Sequence, residues 1–276
     1  MPTPAPFILV QSAGNALVKE LRRLAHDSTA YRKAGRVWVE GDHLCSAALA
    51  RGRKPALAVF SESYWPRVGV EYTQAAMKNI VIADALWAAI TALESPAHMG
   101  FVLDLPGDAR LVPDAPTVVL DRLQDAGNVG SILRSAAAFG FTQIAAIKGT
   151  AALWSPKVLR AGMGAHFGLR LVEALDETAL AEQLQVPLLA TSSHQGDHLH
   201  RAKLPWPCGW VLGHEGQGVS PTLEGRAAQR IRITQPGGEE SLNVAAAAAI
   251  CLHASTAARA GASAGPASGC ESAAPP

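Results

Sequence analysis

Apolar residues recur at Leu17, Val18, Leu21 and Leu24, with Lys19, Glu20, Arg22 and Arg23 between them, which predicts an amphipathic helix over 15–31. Short apolar runs at 36–39, 57–60, 81–82 and 100–105 read as strands, and 41–51 reads as a helix. That alternation fits an α/β sandwich over residues 1–105. The segment 106–116, PGDARLVPDAP, has three prolines and mixed charge and reads as a linker.

Beyond it the pattern becomes a regular strand-then-helix alternation. Strands are expected at 117–120, 142–147, 169–172, 188–191, 210–212 and 230–233, and helices at 129–139, 155–163, 177–184 and 241–255. Apolar strands separated by helices predict a parallel sheet covered on both faces. The unit spans 117–258, and the Ala/Gly/Ser/Pro-rich tail from Arg259 to Pro276 reads as disordered.

Composition narrows the class. Of the 276 residues 49% are hydrophobic and 17% charged, enough for a buried core. No uninterrupted apolar run reaches the roughly 18 residues of a membrane span, and the N-terminus lacks a basic signal region. A cytoplasmic protein with no membrane partner is expected. Cys45, Cys208, Cys251 and Cys270 lie too far apart in sequence for zinc-type spacing, so they read as free thiols with no metal site. Net charge is only +1, but residues 1–60 carry nine basic against four acidic residues. Lys19, Arg22, Arg23, Arg32 and Lys33 are therefore candidate phosphate contacts, although a solvated helix face accounts for them equally.

Three loops carry the candidate chemistry. The first, 121–134, leaves a strand for a helix, where open α/β sheets place ligands. Asn128 is its expected N-cap, and Arg134 lies on that helix. The second is Gly213-His214-Glu215-Gly216-Gln217-Gly218, with glycines for close backbone approach and a carboxylate beside backbone donors. Its spacing, G-x-x-G-x-G, differs from the dinucleotide fingerprint. The third, 231–244, brings Ser241 and Asn243 to the start of an alanine-rich helix. Each alone is an ordinary turn.

Together they resemble the SpoU/TrmH family of the SPOUT superfamily. The carrying motifs are Asn128 through Arg134 to Gly140, Gly213-x-Glu215-Gly-x-Gly218, and Ser241-Leu242-Asn243-Val244. Ser12, Asn15, Val18-Lys19, Leu21–Leu24 and Val39-Glu40-Gly41 are similar to that family's substrate module, which is related to ribosomal RNA-binding proteins. The resemblance implies an α/β fold with a trefoil knot behind a smaller α/β/α RNA-binding domain. It also implies a homodimer, S-adenosyl-L-methionine (AdoMet) as cofactor, and methylation of a ribose 2′-hydroxyl of rRNA or tRNA. By the same resemblance Asn128, Arg134, Glu215, Ser241 and Asn243 are catalytic. Thr191, Ser192, Leu212, Gly213, Gly216, Ile233 and Leu242 hold the cofactor. The sequence departs from the family where Thr234-Gln235 replaces Pro-Met and Ala245 replaces Ser. The competing expectation is a non-catalytic RNA-binding or ribosome-assembly protein; a nucleotide-cofactor dehydrogenase fits the glycine spacing poorly.

Overall fold

A computed structural model describes residues 5–263 except Glu94, Asp108 and 238–240. The N-terminal part runs β1 (Phe7–Val10), α1 (Ala16–His26), α2 (Ala30–Ala34), β2 (Arg36–Glu40), α3 (Asp42–Ala50), β3 (Leu57–Ser61), α4 (Val70–Thr73), β4 (Asn79–Ile82), α5 (Asp84–Trp87) and β5 (Met99–Asp104). Its strands form one sheet ordered β1-β4-β3-β5-β2, with the pairings to β5 antiparallel. The helix expected over 15–31 is broken in two. Asp27 accepts from the Thr29 amide at 2.8 Å, a side-chain turn that competes with the helical ladder. The first piece keeps the amphipathic face, burying Val18, Leu21, Leu24 and Ala25, and Asn15 caps it.

The second part runs β6 (Thr117–Asp121), α6 (Ala126–Ala138), β7 (Gln143–Ile147), α7 (Pro156–Gly162), β8 (Arg170–Leu175), α8 (Glu177–Gln183), β9 (Leu188–Thr191), β10 (Asp197–His198), β11 (Gly209–Gly213), α9 (Pro221–Arg226), β12 (Gln229–Arg232) and α10 (Val244–Ser263). All seven strands are parallel, in the order β10-β12-β9-β11-β6-β7-β8. One face is covered by Ile132 and Leu133 of α6, Val158 of α7 and Leu252 of α10, the other by Leu180 of α8 and Leu223 of α9. β6 and β11 are adjacent, yet the helices that follow them lie on opposite faces. A crevice opens at the C-terminal ends of such a pair.

One expectation about the C-terminus is corrected. The tail was expected to lose structure from Arg259, but α10 continues to Ser263, its alanines favouring the helix; 264–276 lie outside the described residues. Residues 244–261 of α10 also reach a mean hydropathy of 1.2, long and apolar enough to span a bilayer, with 22% of that window buried. Polar residues interrupt the run, which is why a count of consecutive apolar positions passes over it. Its inner side packs into the protein: Ser255 Oγ accepts from Trp210 Nε1 of β11 at 2.9 Å.

The connection 105–116 is pinned to the second sheet. Gln143 accepts from the Val112 amide at 2.8 Å and donates back to its carbonyl at 3.2 Å, and Leu111 is buried. The two parts share a packed junction. Glu173 of β8 accepts from Tyr31 Oη at 2.7 Å and from the Leu153 amide at 2.8 Å, with Arg32 Nη2 at 3.4 Å.

Candidate active site

The loop after β11 folds back on itself. His214 and Gly218 exchange backbone hydrogen bonds of 3.0 and 2.8 Å, and the Gly216 amide donates to His214 Nδ1 at 3.0 Å. A side chain at Gly213 would place its Cβ 2.1 Å from the Gly218 carbonyl carbon, so only glycine permits this closure. Gly218 has φ +70°, the left-handed region. The turn presents Glu215 to the loop after β6. Its carboxylate accepts from the amides of Gln124 and Asp125 and from Asn128 Nδ2, each at 3.3 Å. Burial pushes this carboxyl upward, but its own amide, Asn128 and the Gln124 and Asp125 amides outweigh that and hold it below the ordinary range.

Asn128 is not the N-cap of α6, contrary to expectation. Asp125 takes that place, its carboxylate accepting from the Asn128 amide at 2.7 Å. The helix starts a turn earlier because Asp caps as well as Asn does. The Asn128 side chain is thereby free to join the other two loops: it donates to Glu215 and accepts from Asn243 Nδ2 at 3.0 Å. Asn243 Oδ1 in turn caps α10, accepting from the amides of Ala245 and Ala246 at 2.9 and 3.3 Å. One hydrogen-bonded chain thus runs from the glycine loop through α6 to α10.

These loops border a cleft of about 780 Å³. Among the expected residues, Glu215, Ser241, Asn243, Thr191, Ser192, Gly213, Gly216, Ile233 and Leu242 line it. Thr191 and Ser192 spend their hydroxyls on the fold. Thr191 donates to the Val211 carbonyl at 2.9 Å, and Ser192 accepts from the His194 and Gln195 amides. Leu212 is not brought to the cleft; alternation along β11 turns its side chain into the core, where it is fully buried. Arg134 is not brought there either. It is exposed on α6, without an ion pair or hydrogen bond among the described residues. Helical geometry explains this: six residues from Asn128 is 600°, well off that residue's side.

Lys19, Arg22, Arg23 and Lys33 are exposed. Arg32 instead braces the junction through Glu173 and Tyr31. The sequence reading missed Gln235 and Cys251 as cleft residues. Periodicity offered a signal for Gln235, which continues the 231, 233 alternation. Cys251 is inert there, its thiol pushed up to about 12 by burial.

The cleft suits a ligand with both apolar and hydrogen-bonding parts. Ile231 and Ile233 make an apolar wall, and Leu242, 38% exposed, stands at its rim. Gln235 Oε1 is sealed from solvent with no partner among the described residues, an acceptor awaiting a donor. An adenosine portion supplies ring faces, an amino donor and ribose hydroxyls, and AdoMet fits on these grounds.

An open α/β enzyme with its ligand at the switch point is the class so defined. Comparison with known proteins makes it particular: residues 115–253, half of the chain, match the SpoU rRNA Methylase family, and the chain belongs to it. It is an RNA methyltransferase. It is 27% identical over 248 residues to the Bacillus subtilis 23S rRNA (guanosine(2553)-2′-O)-methyltransferase RlmP, covering 88% of this chain and 97% of that one. A TrmH-family RNA methyltransferase of Porphyromonas gingivalis matches with TM-score 0.75 and 30% identity, over 87% and 97% of the two chains. The SpoU methyltransferase AviRb of Streptomyces viridochromogenes, solved with AdoMet, shares the fold at TM-score 0.77 and 24% identity, over 89% and 98%.

Proposed function

We propose that this enzyme methylates a ribose 2′-hydroxyl of ribosomal RNA, working in the cytoplasm as a homodimer. The observation that carries it is the Glu215–Asn128–Asn243 hydrogen-bonded chain, which ties all three loops around one cleft. The name of the Bacillus relative supports both the 2′-oxygen and the ribosomal target. When bound, AdoMet supplies a methyl group on a positively charged sulfur, open to in-line attack. The protein contributes position: a nucleophile and an electrophile held in register gain much of the rate from that alone. Glu215, kept ionised, fixes the loop that floors the cleft. A trefoil passage fits the chain path, since beyond β12 it must return past β9 and β11 to seat α10 on α6.

Arg134 enters through the dimer. It stands on the exposed side of α6, next to an α10 whose outward residues include Ile250 at 41% exposure. A second copy packed on these helices sets each Arg134 against its neighbour's cleft. The Arg134 guanidinium offers only hydrogen-bond donors, so its part is to hold ribose and phosphate and stabilise the developing alkoxide. Transfer of labelled methyl from AdoMet to ribosomal RNA, with 2′-O-methyl mapping of the product, tests the reading. Arg134→Ala is expected to lose at least a hundredfold in methyl transfer while binding AdoMet normally. Near-normal transfer removes the arginine from the mechanism, and no heat on titrating AdoMet into the wild type favours the non-catalytic binder.

A further inference from the structure

The segment that walls the cofactor cleft has a second side. Ile231, Ile233 and Gln235 face the cleft, whereas Arg232 between them lines a separate recess of about 560 Å³ at the edge of the sheet. The strap 196–203 closes this recess. β10 pairs with β12, the Leu199 amide donates to the Arg232 carbonyl at 2.9 Å, and Gln229 Nε2 holds the Lys203 carbonyl at 3.2 Å. Gly196, at φ +99°, lies so close to Arg230 that a Cβ there would be 2.2 Å from its carbonyl oxygen. The recess is built, not a gap between loose side chains.

Its charge is one-sided. Arg201, Lys203 and Arg232 line it against a single carboxylate, Asp197. Among the described residues none of the three cations has a carboxylate within 4 Å, although arginines elsewhere, such as Arg36 and Arg230, do find one. Arg232 Nε and Gln229 Oε1, both from residues of its lining, are sealed from solvent without a partner among the described residues, an unmet donor and an unmet acceptor. The surplus is felt next door: desolvation first, then Arg232, His200 and Arg201, hold the His198 imidazole below its ordinary value.

We infer that this recess is a second RNA-contact site, taking the backbone of the substrate RNA outside the methylated nucleotide. Phosphate oxygens meet Arg201, Lys203 and Arg232, and a ribose hydroxyl is the donor that Gln229 Oε1 lacks. A fully deprotonated anion such as sulfate satisfies the cations but not that acceptor. The site rests on the RNA-methyltransferase reading and extends it, because it lies on the reverse of the strand that holds the cofactor.

Fluorescence anisotropy with labelled oligouridylate of about 20 nucleotides, repeated with oligothymidylate DNA, tests it on the full chain with S-adenosylhomocysteine present. The double variant Arg201→Ala/Lys203→Ala is expected to bind the RNA at least tenfold more weakly. Its log-log salt dependence should be shallower by about 1.4, two single-strand phosphate contacts. Calorimetric binding of S-adenosylhomocysteine should stay within twofold, and Arg201→Lys/Lys203→Arg should restore RNA affinity. RNA affinity within twofold of wild type, or failure of the charge-conserving pair to restore it, overturns the site. Equal wild-type affinity for the RNA and the DNA overturns the ribonucleotide assignment. Wild-type protein that ignores S-adenosylhomocysteine instead overturns the proposed function.

Discussion

His166 is fully buried, and its Nε2 lies 2.9 Å from the Leu153 carbonyl, so that nitrogen carries the proton of a neutral ring. Burial drives its pKa down from 6.5 to about 4. The folded state therefore binds fewer protons than the unfolded chain between those values. Its stabilisation is complete above pH 6.5 and is lost as pH falls toward 4, about 2 kcal/mol between pH 7 and pH 5. Urea midpoints measured across that range should fall for the wild type and stay flatter for His166→Gln. Gly213 makes a different demand, one of space. Gly213→Ala forces the loop off its own backbone, costing about 1–3 kcal/mol and at least tenfold in AdoMet affinity by calorimetry. Gly225→Ala, in α9 with nothing within 4 Å of the added carbon, should leave both unchanged or slightly better. Gly213 was legible from spacing. The isolation of Arg134 and the burial of Leu212 were not, since motif spacing says which residues gather but not which way a helix or strand turns each one.

Most elements of the catalytic sheet were legible because buried parallel strands such as TVVLD and GWVLG are built on short apolar runs. Those that escaped have physical reasons. In the N-terminal sheet, β1 is an edge strand whose Phe7, Ile8 and Leu9 are all exposed, so no buried alternation marks it. β10 is two residues long and exists only through its pairing with β12. α9 is six residues, started by the Ser220 cap and Pro221 and too short for a period. The start of α10 shows how an element serves the site. Asn243 uses one side-chain atom to cap the helix and the other to hold Asn128. Asn243→Ala should lower stability by about 1 kcal/mol in thermal or denaturant melts, the cost of a lost cap. It should also weaken AdoMet binding severalfold, because the chain to Glu215 is cut. Asn243→Asp keeps the cap but not the donor to Asn128, so it should recover stability without recovering affinity. Recovery of both would show that capping alone matters.

At the scale of the molecule, the N-terminal sheet and the catalytic sheet are locked at Glu173, where Tyr31, Arg32 and the Leu153 amide converge. Nothing in the sequence pairs residues 31 and 173, since contacts 142 positions apart leave no periodic trace. The same limit applies to α10, whose outward face reads as excess hydrophobicity until its surroundings are known. With 22% of the 244–261 window buried in a single chain, that face needs either solvent tolerance or a second copy. Small alanines permit close helix approach, and Arg134 on adjoining α6 has no partner within the described chain. In the proposed homodimer, one contact between copies answers both. Ile250→Glu then places a charge in the shared face without touching this chain's core, because Ile250 already points outward. Light scattering should show wild-type dimers become monomers. AdoMet affinity should persist within threefold, and methyl transfer should drop at least tenfold as Arg134 leaves its neighbour's cleft. A monomeric wild type, or a monomeric variant with full activity, would show that each cleft works alone.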